Sequence, residues 1–275
     1  MQARSTLDVR DCARDPRDTA LTPVHHSADY FSANASEYGR FRPTYPSELC
    51  EFLAGLPGQR TLALDCGCGT GQLAARLALH FESVVAIDAS AQQIGQARPH
   101  PRIEYRVARA EATGLPDRSV DLLTAAQSAH WFDLGAFFAE ASRVLRPTGV
   151  LALISYGVIE LDHPCNALVS DLYSRVLAPY WPPERKLVDA GYTQIMFPMA
   201  EEPTPSFIMR ARWTADELIG YLLTWSAIRV AERKGQQRVV HDTLNSIRRA
   251  AGAPDEPIDV RWPINLRVGR PTIEP

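Results

Sequence analysis

Three glycines at alternate positions, Gly67, Gly69 and Gly71, follow an acid, Asp65, that ends the apolar run Leu62-Ala63-Leu64. Glycines so placed let the backbone take left-handed dihedrals and lie close against a ligand. The helix that begins after them offers unpaired N–H groups. That is the chemistry of a nucleotide-type cradle. A dinucleotide fingerprint puts its third glycine one position later, where Gln72 stands, so a nicotinamide oxidoreductase is disfavoured. Asp88, with Ala89 beside it, closes a second apolar run, Val84-Val85-Ala86-Ile87. An acid at the carboxyl end of the neighbouring strand can accept hydrogen bonds from both hydroxyls of a ribose.

Other reactive side chains are fewer. His130 lies just past a further apolar run and is either a general base or a structural histidine packed by Trp131. No other histidine pairs with an acid and a serine or cysteine in a hydrolytic pattern. Arg210, Arg212, Arg229 and Arg267 are candidates to orient an anionic substrate, or ordinary surface arginines. Tyr30, Trp131, Tyr180, Trp181, Tyr192 and Trp225 could wall a substrate pocket. Trp225 falls at helical spacing with Leu218 and Leu222, which favours core. Five cysteines without metal-ligand spacing predict neither a disulfide framework nor a metal site, and Cys66 and Cys68 read as small packing residues of the loop.

The elements that must position these residues alternate. Strands are predicted at Thr61–Asp65, Ser83–Asp88, Ile103–Val107, Val120–Ala126 and Val150–Ile154, with helices between them, one capped by Ser90 and one by Asp133. This alternation specifies an α/β fold with a doubly wound, mostly parallel sheet, whose ligands bind at the carboxyl ends of the strands. Asp65 to Gly71, Asp88, Ala110 with Glu111, and Gln127 to Trp131 should therefore line one crevice. The chain divides into a tail over 1–26, a helical lid over 27–58, a core over 59–158, a cap inserted after the fifth strand over 159–204, and a completion of the sheet with helices over 205–275. A strand over Ser206–Trp213, one helix running from Thr214 through Ile228, a helix over Gln237–Ala250 and a last strand over Asp259–Val268 make up that final part. At 275 residues and a net charge of −3, with no basic stripe, the chain points away from nucleic acid and anionic membranes. Lacking a spanning apolar run and a signal-like start, it is placed in the cytoplasm, as monomer or homodimer.

These pieces together resemble the class I S-adenosylmethionine-dependent methyltransferases of the type-11 group, and within them the trans-aconitate methyltransferase-like branch. The resemblance rests on the glycine loop and on Tyr38 with Arg42-Pro43-Thr44-Tyr45-Pro46. Further pieces are Ser119-Val120-Asp121-Leu122, Ala126 to Phe132, Arg143 to Pro147, Tyr180-Trp181, Gly191-Tyr192, Tyr221 with Thr224 to Ala227, and Arg261-Trp262-Pro263. It implies a seven-stranded Rossmann-like sheet and S-adenosylmethionine as cofactor, leaving S-adenosylhomocysteine as product. By this similarity Asp65, Gly67, Gly69 and Gly71 contact the methionine part, Asp88 the ribose, and Ala110 and Glu111 the adenine. Gln127 faces the methionine moiety, Arg42 pairs with its carboxylate, and Tyr38 covers the sulfonium. Arg109 stands where many relatives carry an acid, which leaves adenine recognition to the Ala110 backbone and Glu111. The implied activity is methyl transfer to a small molecule, with carboxylate O-methylation preferred. O- or N-methylation of an aromatic or natural-product intermediate, with His130 as base, and a silent cofactor-binding module are the alternatives. A base-methylating nucleic-acid enzyme is disfavoured, because Gln127-Ser128-Ala129-His130 is not an Asn/Asp-Pro-Pro-aromatic loop.

Overall fold

The continuous apolar runs become the middle of a sheet because both of its faces are covered. The computed structural model describes residues 43–253 and 256–272, so the tail over 1–26 and the expectations for Tyr30, Tyr38 and Arg42 lie outside the described residues. Strands β1 (Leu62–Cys66), β2 (Ser83–Asp88), β3 (Ile103–Val107), β4 (Val120–Ala126) and β5 (Leu145–Tyr156) run parallel in the order β3-β2-β1-β4-β5. β5 begins directly after its helix, and its register on β4 jumps from Leu145 to Val150, so Arg146 to Gly149 loop outward. At the start of β4, buried Asp121 accepts the amides of Thr61 and Leu62, both at 2.9 Å, and ties β1 to its neighbour.

Four strands complete the sheet among the described residues: β6 (Glu160–Leu161), β7 (Ala200–Glu202), β8 (Phe207–Trp213) and the long antiparallel β9 (Ile258–Arg270). β6 and β8 both pair with Val260 and Arg261, and β5 and β7 both pair with Val268 and Gly269. A strand has two edges, so β6 must continue the line of β5, and β7 the line of β8. The nine strands thus occupy seven lines, with β9 between β5 and β8, as the family resemblance implies.

Alternate residues of each strand enter two separate cores. Ala63, Ala86, Leu122 and Ala152 pack with α1 (Ser47–Gly55), α2 (Gln72–Leu77), α5 (Asn166–Asp171), α7 (Ala215–Leu223), α8 (Ser226–Arg233) and α9 (Gln237–Ala250). Leu64, Ile87, Leu123 and Leu153 pack on the other face with α4 (Leu134–Val144) and α6 (Arg185–Asp189). α3 (Ala91–Gly95) is short and starts at Ser90, whose hydroxyl accepts the Gln93 amide at 3.3 Å. The inserted segment is split between these layers: α5 and the wider π-type turn Leu172–Val176 join the first core, while Val188 of α6, Tyr192 and Ile195 join the second. No helix among the described residues is long and apolar enough to cross a membrane.

One expected helix is broken. α7 stops at Leu223 and α8 starts at Ser226, with Trp225 extended between them at φ −66 and ψ 128. The Thr224 hydroxyl donates to the Tyr221 carbonyl at 2.6 Å, the local side-chain bond by which threonine competes with helix propagation. Trp225 therefore sits between the two helices, partly buried against the first core as its spacing suggested, and also lines a pocket.

Candidate active site

The glycine loop has the conformation its composition demands. Gly67, Gly69 and Gly71 take φ of +66, +57 and +86, where a side chain is strained. A Cβ at Gly67 would collide with Ser128, and one at Gly71 with the ring of Tyr105. Asp88 fixes the loop from the next strand: its two carboxylate oxygens accept the Gly69 amide at 2.9 Å and the Ser90 amide at 2.8 Å. On the other side the Ser128 hydroxyl donates to the Cys66 carbonyl at 2.9 Å, joining the loop after β1 to the loop after β4.

Asp65 is fully buried beneath this loop. Its Oδ1 accepts the Thr124 hydroxyl at 2.7 Å, whereas Oδ2 has no hydrogen-bond partner among the described residues. Burial pushes this carboxyl up to about 7, against the opposing effect of the Thr124 bond. Burial likewise pushes the Cys66 thiol well up, which keeps it protonated and inert. Gln127 takes a left-handed φ of +54, its Nε2 donates to the Tyr156 carbonyl at 2.8 Å, and its buried Oε1 has no partner among the described residues.

A pocket of about 90 Å³ opens beside Gln127 at the carboxyl ends of β4 and β5. His130 and Trp131 come from the end of β4, Tyr156 from β5, Trp181 and Arg185 from the insertion, and Tyr221, Trp225 and Arg229 from the α7–α8 corner. His130 Nδ1 lies 2.9 Å from the Tyr192 hydroxyl, and burial, followed by the nearby Arg185 charge, pushes the imidazole down to about 3. A second, wider hollow lined by Arg60, His80, Glu82 and Arg102 lies at the amino-terminal ends of β1 and β2, away from the cradle.

The structure brings Asp65, Gly67, Gly69, Gly71, Asp88 and Gln127 into one continuous edge, with Trp131, Trp181, Trp225, His130 and Arg229 around the adjoining pocket. Ala110 is buried, while Glu111 accepts the Asp133 amide at 2.9 Å and pairs with Arg109 at 3.2 Å, so its carboxylate also fixes the start of α4. Several other candidates stand elsewhere. Arg210 is exposed on β8 opposite Arg261, because strand alternation sends Met209 to the core and Arg210 outward. Tyr180 packs on the first core under Lys234, 5.7 Å from its ring, whereas Ala89 stays at the cradle, exposed beside Asp88 at the carboxyl end of β2. Tyr192 is fully buried and reaches the pocket only through His130. Arg212 pairs with Asp259, and Arg267 donates to the Tyr192 and Ile195 carbonyls, both at 2.8 Å. Sequence reasoning placed Ser128 on the crevice without a role and missed Tyr105, Thr124 and Arg185. For Arg185 the available signal was an i,i+4 pair with Asp189 following Pro182-Pro183.

A sheet in this order, with an antiparallel strand next to β5 and a glycine cradle at its carboxyl edge, defines a Rossmann-like class I methyltransferase fold. Residues 64–153 match the profile of a methyltransferase domain. A protein of Dictyostelium discoideum named as a methyltransferase is 35% identical over 246 residues, covering 86% of this chain and 93% of that one. A solved chain from Anaeromyxobacter dehalogenans, described as a type II methyltransferase, is 44% identical with a TM-score of 0.79, over 85% of this chain and 99% of that one. The chain belongs to the S-adenosylmethionine-dependent methyltransferases.

Proposed function

We propose that this methyltransferase acts on the carboxylate of a small-molecule acid bound in the pocket between Gln127 and Arg229, as the resemblance to the trans-aconitate methyltransferase-like branch implies. One observation carries this reading: Arg185, Arg229 and five aromatic rings line the pocket, and no aspartate or glutamate does so among the described residues. A carboxylate is already ionised at neutral pH and needs no base, only cationic or hydrogen-bonding groups to orient it. His130, held neutral and far below the pKa of a phenol, is a poor acceptor for the proton that a phenol must lose.

The residues present fit the cofactor. The positive φ values of Gly67, Gly69 and Gly71 give the loop a course that glycine alone takes without strain, and a Cβ position at Gly69 meets nothing nearer than Gln93 Oε1 at 3.8 Å. The Oδ2 of Asp65 and Oε1 of Gln127, unpartnered among the described residues, suit the cofactor's polar methionine end. Asp88 takes the ribose, and Ala110 with Glu111 flanks the adenine. When bound, S-adenosylmethionine supplies an electrophilic methyl group on a sulfonium. This chain's contribution is to hold the acceptor in line, exclude water with Trp131, Trp181 and Trp225, and require no proton transfer.

Calorimetric titration with S-adenosylmethionine and S-adenosylhomocysteine, followed by a transfer screen over small acids, phenols and amines, tests the reading. An ester from an acid is the expected result. Transfer only to phenols or amines overturns the carboxylate assignment, transfer to nothing despite binding favours a silent module, and binding of neither cofactor form overturns the site. Asp88→Ala is expected to weaken S-adenosylhomocysteine binding about tenfold or more, since it removes a charged acceptor and loosens Gly69. An unchanged affinity removes the ribose assignment.

A further inference from the structure

Arg185 is held in an unusual way. Its guanidinium lies 5.4 Å from the ring centre of Tyr173 and 5.1 Å from that of Trp181. Its Nε edge is used twice, donating to the Tyr173 hydroxyl at 2.8 Å and to Asp189 Oδ1 at 3.1 Å. That pair is itself fixed, because the Tyr173 hydroxyl donates to the same Asp189 oxygen at 2.5 Å, and the Trp181 indole donates to the Tyr173 carbonyl at 3.1 Å. The two terminal nitrogens, Nη1 and Nη2, make no hydrogen bond among the described residues, although the side chain is only 21% exposed and lines the pocket. An arginine that serves only to neutralise an aspartate commonly presents its fork to the carboxylate. Here Asp189 takes the edge, the rings flank the plane, and the fork remains.

We propose that Arg185 is the anchor of the acceptor, taking a carboxylate through Nη1 and Nη2, and that Asp189 and Tyr173 are its positioning residues. The assignment rests on the carboxylate reading above and names the acceptor class more closely: an acid with a planar apolar body. The guanidinium fork matches the two oxygens of a carboxylate, and its fixed orientation reduces the ordering cost of binding. Trp131, Trp181 and Trp225, in the same wall, supply flat faces for the remainder of the molecule. Lysine would retain the charge but lose the fork.

The test uses the full chain saturated with S-adenosylhomocysteine, titrated with benzoate and with benzamide as its neutral counterpart, in wild type, Arg185→Met, Arg185→Lys and Asp189→Asn. Wild type is expected to bind benzoate at least tenfold more tightly than benzamide. Arg185→Met should abolish that preference, Arg185→Lys should reduce it, and Asp189→Asn should weaken benzoate while leaving benzamide unaffected. S-adenosylhomocysteine affinity should stay constant throughout, which also shows that each variant is folded. Should Arg185→Met not fold, the lysine variant alone decides, through loss of preference with retained charge. Equal benzoate binding by wild type and the Arg185 variants, or no preference for benzoate over benzamide, overturns the anchor. Ester formation is scored separately: benzoate held through Arg185 with no ester from any acid in the panel overturns the reaction proposed above and upholds the anchor.

Discussion

Asp65 is fully buried, with one carboxylate oxygen satisfied and the other without a partner among the described residues. Its pKa of about 7 in the fold lies above the ordinary carboxylate value of roughly 4. Between those values the folded chain binds more protons than the unfolded one. The stability that neutral Asp65 contributes is therefore fully present below about pH 4 and lost as pH rises through 7. His130 acts oppositely: its folded value of about 3 lies below the ordinary value of roughly 6.5, so its contribution is lost as pH falls through that interval. Unfolding of Asp65→Asn compared with wild type across this range isolates the first effect. The variant should lack the decline towards pH 7, and parallel curves refute the assignment. Binding of the cofactor's methionine end, which brings an ammonium and a sulfonium toward Asp65, should strengthen through the same window in wild type and stay flat in Asp65→Asn, as read by calorimetry. Asp65, the glycines and Asp88 were legible in the sequence because strand-end acids and alternate glycines have few other uses. Arg185 was not, because its meaning depends on Tyr173 and Trp181, which an irregular π-type turn and two prolines bring to it.

At the scale of elements, the join between β1 and α2 depends on Gly71, which caps the helix at φ +86 with the Tyr105 ring of β3 against it. Gly71→Ala must strain the backbone and displace Tyr105, and is expected to cost about 2 kcal/mol or more in denaturant unfolding. Adding Tyr105→Ala should relieve the steric part and leave the dihedral part; a double variant no better than the single one contradicts the contact. The parallel strands were readable because burial on both faces requires unbroken apolar runs. The break at Thr224 and Trp225 was hidden because Leu218, Leu222, Trp225 and Ile228 keep helical spacing straight across it. The stop there is made by the Thr224 hydroxyl and two tightened backbone bonds, from the Thr224 and Trp225 amides to the Tyr221 and Leu222 carbonyls, which periodicity does not register.

Across the whole molecule, the doubly wound order followed from strand and helix alternation, whereas the division of the 159–204 segment between two cores did not. Its apolar residues read alike whichever face receives them. The layers are fastened at Arg270, which pairs with Glu202 at 2.5 Å and donates to the Thr148 and Leu56 carbonyls, both at 2.8 Å. Arg270→Met is expected to lower stability by about 2 kcal/mol in urea unfolding without changing S-adenosylhomocysteine affinity, because the fastening lies away from the cradle. The position of β9 also sets an order in time. It is made after both strands that it joins, so on the ribosome β5 and β8 wait with unpaired edges until residues 258–270 have emerged. During that interval one edge of β5 and the facing edge of β8 are open to pairing with a neighbouring chain, and the arrival of a single strand closes both.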